Sequence, residues 1–131
     1  MIMVYSLRKV GNKAELAFKS SRKDDNTFLI CEELETTVND FEIMEHIINN
    51  LGLVCIRDRE KKRTSFVLKN VKLEIDEYSG ISPYLEIEGS KKEVMKAVKL
   101  LGFEMKDTVN LTASAVLRLN NKNQNFLKFK R

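Results

Sequence analysis

Tyr84-Leu85-Glu86-Ile87-Glu88-Gly89 alternates charged and apolar residues in the manner of a β-strand. In a strand, Glu86 and Glu88 lie on one face. Leu85 and Ile87 then lie on the opposite face. Two neighbouring carboxylates on a sheet face repel each other, so water, basic residues or a metal ion must compensate their charge. The segment by itself leaves two alternatives open, a solvated outer face and a ligand-binding face.

The same alternation places charged residues on one face of several other predicted strands. If the apolar faces pack under helices and the charged faces turn toward each other, the strands enclose a polar cavity. A cavity lined by acids and bases suits a polyanion together with its divalent cations. The position of Glu74 in this pattern has two explanations, which stay open: it lines the cavity or it forms a surface salt bridge. The acids in this pattern are Glu33, Glu35, Glu74 and Asp76, and the bases are Arg8, Lys19, Lys61 and Arg63.

Composition limits the class of protein. The 131 residues are enough for one domain with a hydrophobic core. Lys and Arg number 23 against 19 Asp and Glu, which gives a net charge of +4. Much of this excess lies in residues 120–131, which we expect to form a polar, basic tail after a domain spanning residues 1–119. In that domain acids interrupt the basic residues, so we expect no nucleic-acid surface.

The sequence shows no signal for membrane insertion or export. No apolar run approaches the ~20 residues of a membrane helix, and the N-terminus has no signal-peptide pattern. Cys31 and Cys55 each lie in an apolar run and lack the spacing of a metal site. We therefore expect both to be buried thiols in a reducing compartment, and the protein to be cytoplasmic with no membrane partner.

Hydrophobic periodicity predicts seven strands and three helices. The strands are expected at residues 3–9, 13–19, 27–36, 53–59, 64–68, 71–77 and 84–88. Apolar stripes predict helices at residues 40–50, 91–101 and 107–119, followed by a loop or tail at residues 120–125. Asn39 or Asp40 can cap the first helix, and Ser90 can cap the second.

Two parts of the sequence resemble each other. The first helix follows an acidic strand and ends at Leu51-Gly52, and the second also follows an acidic strand and ends at Leu101-Gly102. This similarity indicates an internal repeat of a strand and a helix. Two such units would place their acidic pairs across one cavity.

Several short motifs together resemble the CYTH family, the group of class IV adenylyl cyclases and thiamine triphosphatases known as triphosphate tunnel metalloenzymes. The resemblance extends over most of the chain, in the family's order and spacing. It implies an α+β fold in which helices pack outside an antiparallel β barrel or tunnel. The motifs are Leu7-Arg8-Lys9, Leu16-Ala17-Phe18-Lys19, Lys61-Lys62-Arg63-Thr64, Leu73-Glu74-Ile75-Asp76-Glu77, Gly80 and Leu85-Glu86-Ile87-Glu88-Gly89.

The resemblance also implies roles for individual residues. Basic residues of the family grip a triphosphate, and acidic residues hold Mg²⁺ or Mn²⁺. The matching positions are Arg8, Lys19, Lys61 and Arg63 for the triphosphate, Asp76, Glu86 and Glu88 for the metal, and Glu33 and Glu35 for the acidic lining of the tunnel. Family members usually begin with a Glu-x-Glu-x-Lys strand, which this sequence lacks, and Ser6 stands where the first arginine of an Arg-x-Arg pair is usual. We therefore expect a barrel that is incomplete at the N-terminus.

Three functions agree with these motifs. The first is divalent-metal-dependent conversion of a triphosphate such as ATP, thiamine triphosphate or tripolyphosphate, as in an adenylyl cyclase or a triphosphatase. The second is a catalytically impaired module that binds nucleotide or polyphosphate, because the first metal-binding strand is missing. The third is an oligomerisation domain, with a homodimer as the simplest assembly. Cyclisation and hydrolysis need the same grip on the triphosphate and cannot be separated by these motifs.

Overall fold

A computed structural model describes residues 2–24, 27–120 and 125–131. The chain divides into two units, an N-terminal unit at Met1–Ile56 and a C-terminal unit at Arg57–Arg131. Sheets in both units are mainly antiparallel and are accompanied by α-helices, which confirms the predicted α+β class. The described residues form three separate sheets and no closed barrel, so the tunnel stays a prediction. No helix in these ranges is long and apolar enough to span a membrane.

The N-terminal unit contains one three-stranded sheet and one helix. Strands β1 (Ile2–Val10), β2 (Lys13–Asp24) and β3 (Phe28–Val38) pair as an antiparallel meander, in the order β1-β2-β3. Alternation places apolar side chains on one face, where the rings of Tyr5 and Phe18 lie 5.3 Å apart. Charged side chains therefore occupy the other face.

Helix α1 (Phe41–Asn50) follows β3 directly. Of the two caps that the sequence allowed, Asn39 and Asp40, the Asp40 carboxylate caps the helix by accepting a hydrogen bond of 2.9 Å from the backbone N–H of Ile43. Gly52 ends it with a φ of +84°, a conformation that favours glycine. None of the helix residues is buried.

The C-terminal unit repeats this order of elements. Strands β5 (Lys62–Leu68), β6 (Val71–Tyr78) and β7 (Ile81–Glu88) form an antiparallel meander, and helix α2 (Lys91–Leu100) follows. Ser90 caps α2 by accepting a hydrogen bond from the Glu93 N–H. The apolar face of the sheet packs under the helix, with Val71, Leu73 and Ala97 buried together.

A close approach of two backbone segments supports this packing. A Cβ atom on Gly89 would lie 2.9 Å from Cγ1 of Val71 and 3.3 Å from the carbonyl oxygen of Asn70. Only glycine fits here without a shift of its neighbours, because real Cβ contacts are longer. The chain thus passes from β7 into α2 directly against the start of β6.

A second apolar cluster lies at the other end of the same sheet. Tyr78 and Ile81 pack with Leu117 of helix α3 (Ala113–Asn120) and with Leu127. Leu127 belongs to strand β8 (Phe126–Leu127), which pairs in parallel with β4 (Asp58–Arg59). Part of the predicted tail is therefore paired and buried, and the division at residue 119 stays a prediction.

Several local expectations are wrong. The strand predicted at residues 53–59 is limited to Asp58–Arg59, because this apolar run has a ladder partner only at β8. The helix predicted at residues 107–119 is a 3₁₀ turn at Met105–Asp107 and then α3, because the Thr112 hydroxyl accepts a bond from the Ala115 N–H and starts α3 there. Cys31 and Cys55 are exposed and not buried. Of the loop predicted at residues 120–125, residues 121–124 lie outside the described ranges.

Candidate functional site

The strand register of the C-terminal unit brings charged residues together on the face opposite to α2. Arg63 lies across from Asp76 in the β5–β6 pair, and Glu74 lies across from Glu86 in the β6–β7 pair. Because side chains alternate along each strand, all four point to the same side of the sheet. With two flanking lysines they form what we call the charged cluster, defined as Lys61, Arg63, Lys72, Glu74, Asp76 and Glu86.

Arg63 is the centre of the charged cluster. Its Nε and Nη2 donate to the two carboxylate oxygens of Asp76 at 2.6 and 2.7 Å, which is the bidentate geometry of a strong guanidinium–carboxylate pair. Nη2 also donates to Glu86 Oε2 at 3.1 Å, and Nη1 pairs with Glu74. One guanidinium therefore bridges three carboxylates.

The two lysines contact the edges of the same cluster. Lys61 Nζ lies 3.3 Å from Asp76 Oδ2, and Lys72 Nζ lies 2.6 Å from Glu74 Oε1. Glu88 is exposed and stands across from Lys72 in the strand register. The hydrogen bond to Glu74, aided by the charges of Glu74 and Glu88, raises the pKa of Lys72.

Burial and neighbouring charges shift the pKa values of Asp76 and Glu86 in opposite directions. The Asp76 side chain is 0% exposed and that of Glu74 is 3% exposed. Burial favours the neutral acid at Asp76, but the Arg63 hydrogen bonds and the charges of Lys61 and Arg63 outweigh it and lower the pKa of Asp76. At Glu86 burial dominates and raises the pKa, with Arg63 and Lys61 only partly opposing it. Burial and the nearby Arg63 charge lower the pKa of Lys61.

The N-terminal unit has its own charged face. Arg8 Nε donates to Glu15 Oε2 at 2.9 Å, and the same guanidinium pairs with Glu35. Lys19 Nζ lies 3.1 Å from Glu33 Oε1. The structure thus joins the predicted bases and acids of this unit in pairs. The acids of these pairs are more exposed than the two buried acids of the charged cluster, with 36% of the Glu33 side chain accessible against 0% of Asp76.

A family comparison covers most of the chain and both units. The family model described as CYTH domain matches residues 7–111. The chain belongs to the CYTH domain family. Members of this family bind triphosphates and depend on divalent metals. The resemblance seen in the sequence motifs is therefore confirmed at the level of the family.

Two solved structures are similar to this chain in fold. A conserved hypothetical protein from Pyrococcus furiosus is 25% identical, with 87% of this chain and 74% of that chain covered and a TM-score of 0.72. The PH1012 protein from Pyrococcus horikoshii OT3 is 24% identical, with 80% and 68% covered and a TM-score of 0.70. At this identity the second likeness shows the fold alone. No curated protein matches the sequence.

The carboxylates of the charged cluster are of the kind that binds divalent metals in CYTH proteins. In this structure, however, they contact the bases of the same cluster. Carboxylate oxygens are the ligands that Mg²⁺ and Mn²⁺ prefer. Among the described residues, however, no group of three Asp, Glu, His or Cys residues is arranged to hold a metal ion. Glu74, Asp76 and Glu86 instead converge on Arg63.

The structure adds residues that the CYTH motifs did not single out. Lys72 belongs to the charged cluster, and Glu15 belongs to the charged face of the N-terminal unit. Glu74, for which two explanations stood open, is buried and bridges Arg63 and Lys72. Alternation along β6 and β2 could have indicated all three, because Lys72 and Glu74 lie an even number of positions from Asp76 and Glu15 lies an even number from Lys19.

Two tyrosines border the charged cluster. The Tyr78 and Tyr84 rings stack with centroids 6.4 Å apart and planes within 8°. Burial raises the pKa of both phenols, and the charges of Asp76 and Glu86 raise it further. The phenols therefore stay neutral, and Tyr84 lies across from the buried Asp76 in the strand register.

Proposed function

We propose that this chain binds a triphosphate through Lys61 and Arg63 and converts it in a reaction that depends on a divalent metal. The observation that carries the proposal is the charged cluster, in which these two bases and the matching acids share one sheet face. The membership of the CYTH family supports the substrate class.

Each base suits a different part of phosphate binding. The Arg63 guanidinium presents a planar fork that matches two phosphate oxygens as well as it matches the Asp76 carboxylate. Lys61 supplies a compact positive charge, and 32% of its side chain is exposed and accessible to a ligand. Arg8 and Lys19, on the charged face of the N-terminal unit, are proposed as further triphosphate-binding residues.

The acids have a separate role in this proposal. Asp76, Glu86 and Glu88 would hold Mg²⁺ or Mn²⁺, whose charge would neutralise phosphate oxygens and make the phosphorus easier to attack. Glu33 and Glu35 are proposed to line the acidic side in the N-terminal unit, where they already pair with Lys19 and Arg8. Positioning and charge compensation then supply most of the catalysis, as in phosphoryl transfer generally.

The reaction is proposed to be that of a class IV adenylyl cyclase or of a triphosphatase. Both require the grip described above and differ in the nucleophile, which is a ribose hydroxyl in the cyclase and water in the triphosphatase. ATP, thiamine triphosphate and tripolyphosphate are the three substrates to compare.

The test is incubation of the pure protein with each triphosphate in the presence of Mg²⁺ or Mn²⁺. Release of phosphate, pyrophosphate or cyclic nucleotide that stops with a chelator is the expected result. Glu86→Gln should lower the rate at least tenfold, because it removes a proposed metal ligand. Lys62→Gln is the matched control, because Lys62 points away from the cluster and lies over the Phe129 ring. Binding of a triphosphate without any product would overturn the conversion, and absence of binding would overturn the proposal as a whole.

A further inference from the structure

Arg63 stands at the point where the acidic side chains of the charged cluster meet. Its guanidinium contacts both oxygens of Asp76, one oxygen of Glu86 and one of Glu74. Three cations face three carboxylates in the cluster, so its charge is balanced by the protein's own side chains. A cation is thus already present where the acids converge.

We propose that Arg63 competes with the divalent metal for Asp76 and Glu86, and that a bound triphosphate relieves this competition by drawing the guanidinium to its phosphate oxygens. The part played by the triphosphate rests on the function proposed above. The competition between Arg63 and the metal stands independently of it, because it follows from the contacts of the cluster alone.

The contacts of Asp76 place the two cations in competition. Both of its carboxylate oxygens are engaged by Arg63 at 2.6 and 2.7 Å. Mg²⁺, for example, needs carboxylate oxygens at about 2.0–2.1 Å and would stand next to the guanidinium charge. Repulsion between neighbouring cations in a buried site is strong, because the surroundings screen it little. Arg63 in this position therefore weakens the binding of a metal ion at Asp76.

A triphosphate offers Arg63 an equivalent partner. Phosphate oxygens accept the same bidentate pair of hydrogen bonds as a carboxylate, so the exchange replaces one strong contact with another. The side chain is 29% exposed, which gives a ligand access to it from solvent. Asp76 and Glu86 then lose the guanidinium charge, and Lys61 alone stays against Asp76, which raises the affinity of both acids for a divalent cation. By linkage, the triphosphate and the metal each strengthen the binding of the other.

The decisive experiment is calorimetric titration of Mn²⁺ alone into three proteins without any phosphate. Arg63→Gln removes the competing cation, and we expect it to bind Mn²⁺ about tenfold more tightly than the unmodified protein. Lys62→Gln is the matched control, with the same loss of charge on the same strand but on the opposite face, where Lys62 Nζ lies 4.8 Å from the centre of the Phe129 ring. Its Mn²⁺ affinity should equal that of the unmodified protein. Equal affinity of Arg63→Gln and the unmodified protein would overturn the proposal.

A second titration separates this inference from the proposed function. Tripolyphosphate titrated without metal should bind Arg63→Gln about tenfold more weakly than the unmodified protein, since a bidentate contact is lost. If the unmodified protein binds no tripolyphosphate while Arg63→Gln still gains Mn²⁺ affinity, the function fails and the competition holds. If tripolyphosphate binds and Mn²⁺ affinity does not change, the competition fails and the function holds.

Folding of the variant is checked by circular dichroism before titration. Should Arg63→Gln unfold, Arg63→Lys replaces it in the same experiment. An ammonium group cannot bridge three carboxylates as the guanidinium does, so a gain in Mn²⁺ affinity of about threefold is expected. No gain in a folded Arg63→Lys protein would overturn the proposal.

Discussion

The two units repeat one order of elements, three antiparallel strands and then a ten-residue helix, yet they bury different side chains. In the C-terminal unit, α2 buries Ala97 and Val98, and Asp76 is fully enclosed. In the N-terminal unit, α1 buries none of its residues, and Tyr5 and Leu34 on the apolar face of its sheet are 62% and 61% exposed.

Different contacts hold the two helices to their sheets. A 2.8 Å ion pair between Lys9 and Glu42, with the same lysine over the Phe41 ring, joins α1 to β1. Buried apolar side chains join α2 to β6. Exposed ion pairs contribute little to stability, whereas buried apolar area contributes more. The two units therefore share one order of elements but differ in packing. The C-terminal unit buries more apolar side chains under its helix, and it is also the unit that contains the charged cluster.

The largest expected difference between the units concerns their ion pairs. Asp76→Asn should lower the free energy of unfolding by about 3 kcal/mol, because it leaves Arg63 with a weaker partner in a buried site. Glu33→Gln, which removes the exposed pair with Lys19 in the N-terminal unit, should cost less than about 1 kcal/mol. Urea unfolding of both variants measures the difference. Equal losses of unfolding free energy would show that burial does not make the ion pairs of the charged cluster more important for stability than those of the N-terminal unit.

The helix junctions offer a second comparison. Gly89→Ala should destabilise the protein by about 2 kcal/mol, since the new Cβ would press on Val71 at 2.9 Å. The corresponding position before the α1 cap is Asn39, where Asn39→Ala should change stability by less than about 0.5 kcal/mol. Thermal unfolding followed by circular dichroism would detect this contrast. If Gly89→Ala leaves the stability unchanged, α2 can move away from β6 without a cost in free energy.

Acid should weaken the charged cluster through Asp76. Its pKa is lowered from the ordinary 3.8, so the unfolded chain takes up the proton first as the pH falls. The stability that the ionised Asp76 contributes is fully present above pH 3.8 and is lost as the pH falls through the lowered folded value. The difference in unfolding free energy between the unmodified protein and Asp76→Asn should therefore be smaller at pH 3 than at pH 6. A difference that does not change with pH would argue against an ionised Asp76 in the folded protein.

The smallest expected effect concerns the two helix caps. Asp40→Ala should cost about 1 kcal/mol, because the carboxylate accepts a hydrogen bond of 2.9 Å from the Ile43 N–H. Ser90→Ala should cost somewhat less, since its hydroxyl lies 3.4 Å from the Glu93 nitrogen. Denaturant midpoints measured side by side would rank them. A larger loss of stability for Ser90→Ala would show that the buried packing of α2 increases the stabilisation that its cap provides.

Features that depend on a few neighbouring residues were predictable. The alternating strands, the caps at Asp40 and Ser90 and the glycine ends of α1 and α2 follow from short-range sterics and hydrogen bonding. The interruption of the third predicted helix was not predictable in this way. Its apolar stripe is continuous, but the Thr112 hydroxyl accepts a hydrogen bond from the Ala115 N–H, and α3 begins there. Burial of the cysteines was predicted wrongly for a related reason. An apolar run shows that a residue could be covered, and only packing decides whether it is.

The sequence by itself determined the CYTH family, the α+β class and the sharing of one strand face by Glu74 and Asp76 and by Glu86 and Glu88, since alternation is a local property of the backbone. Only the tertiary structure decided that Arg63 meets three of these acids at once. That outcome depends on the register of β5 with β6 and of β6 with β7, which no single strand specifies. The energetic consequence depends on burial, because loss of one partner costs little in an exposed ion pair such as Lys19–Glu33 and much in a buried one such as Arg63–Asp76.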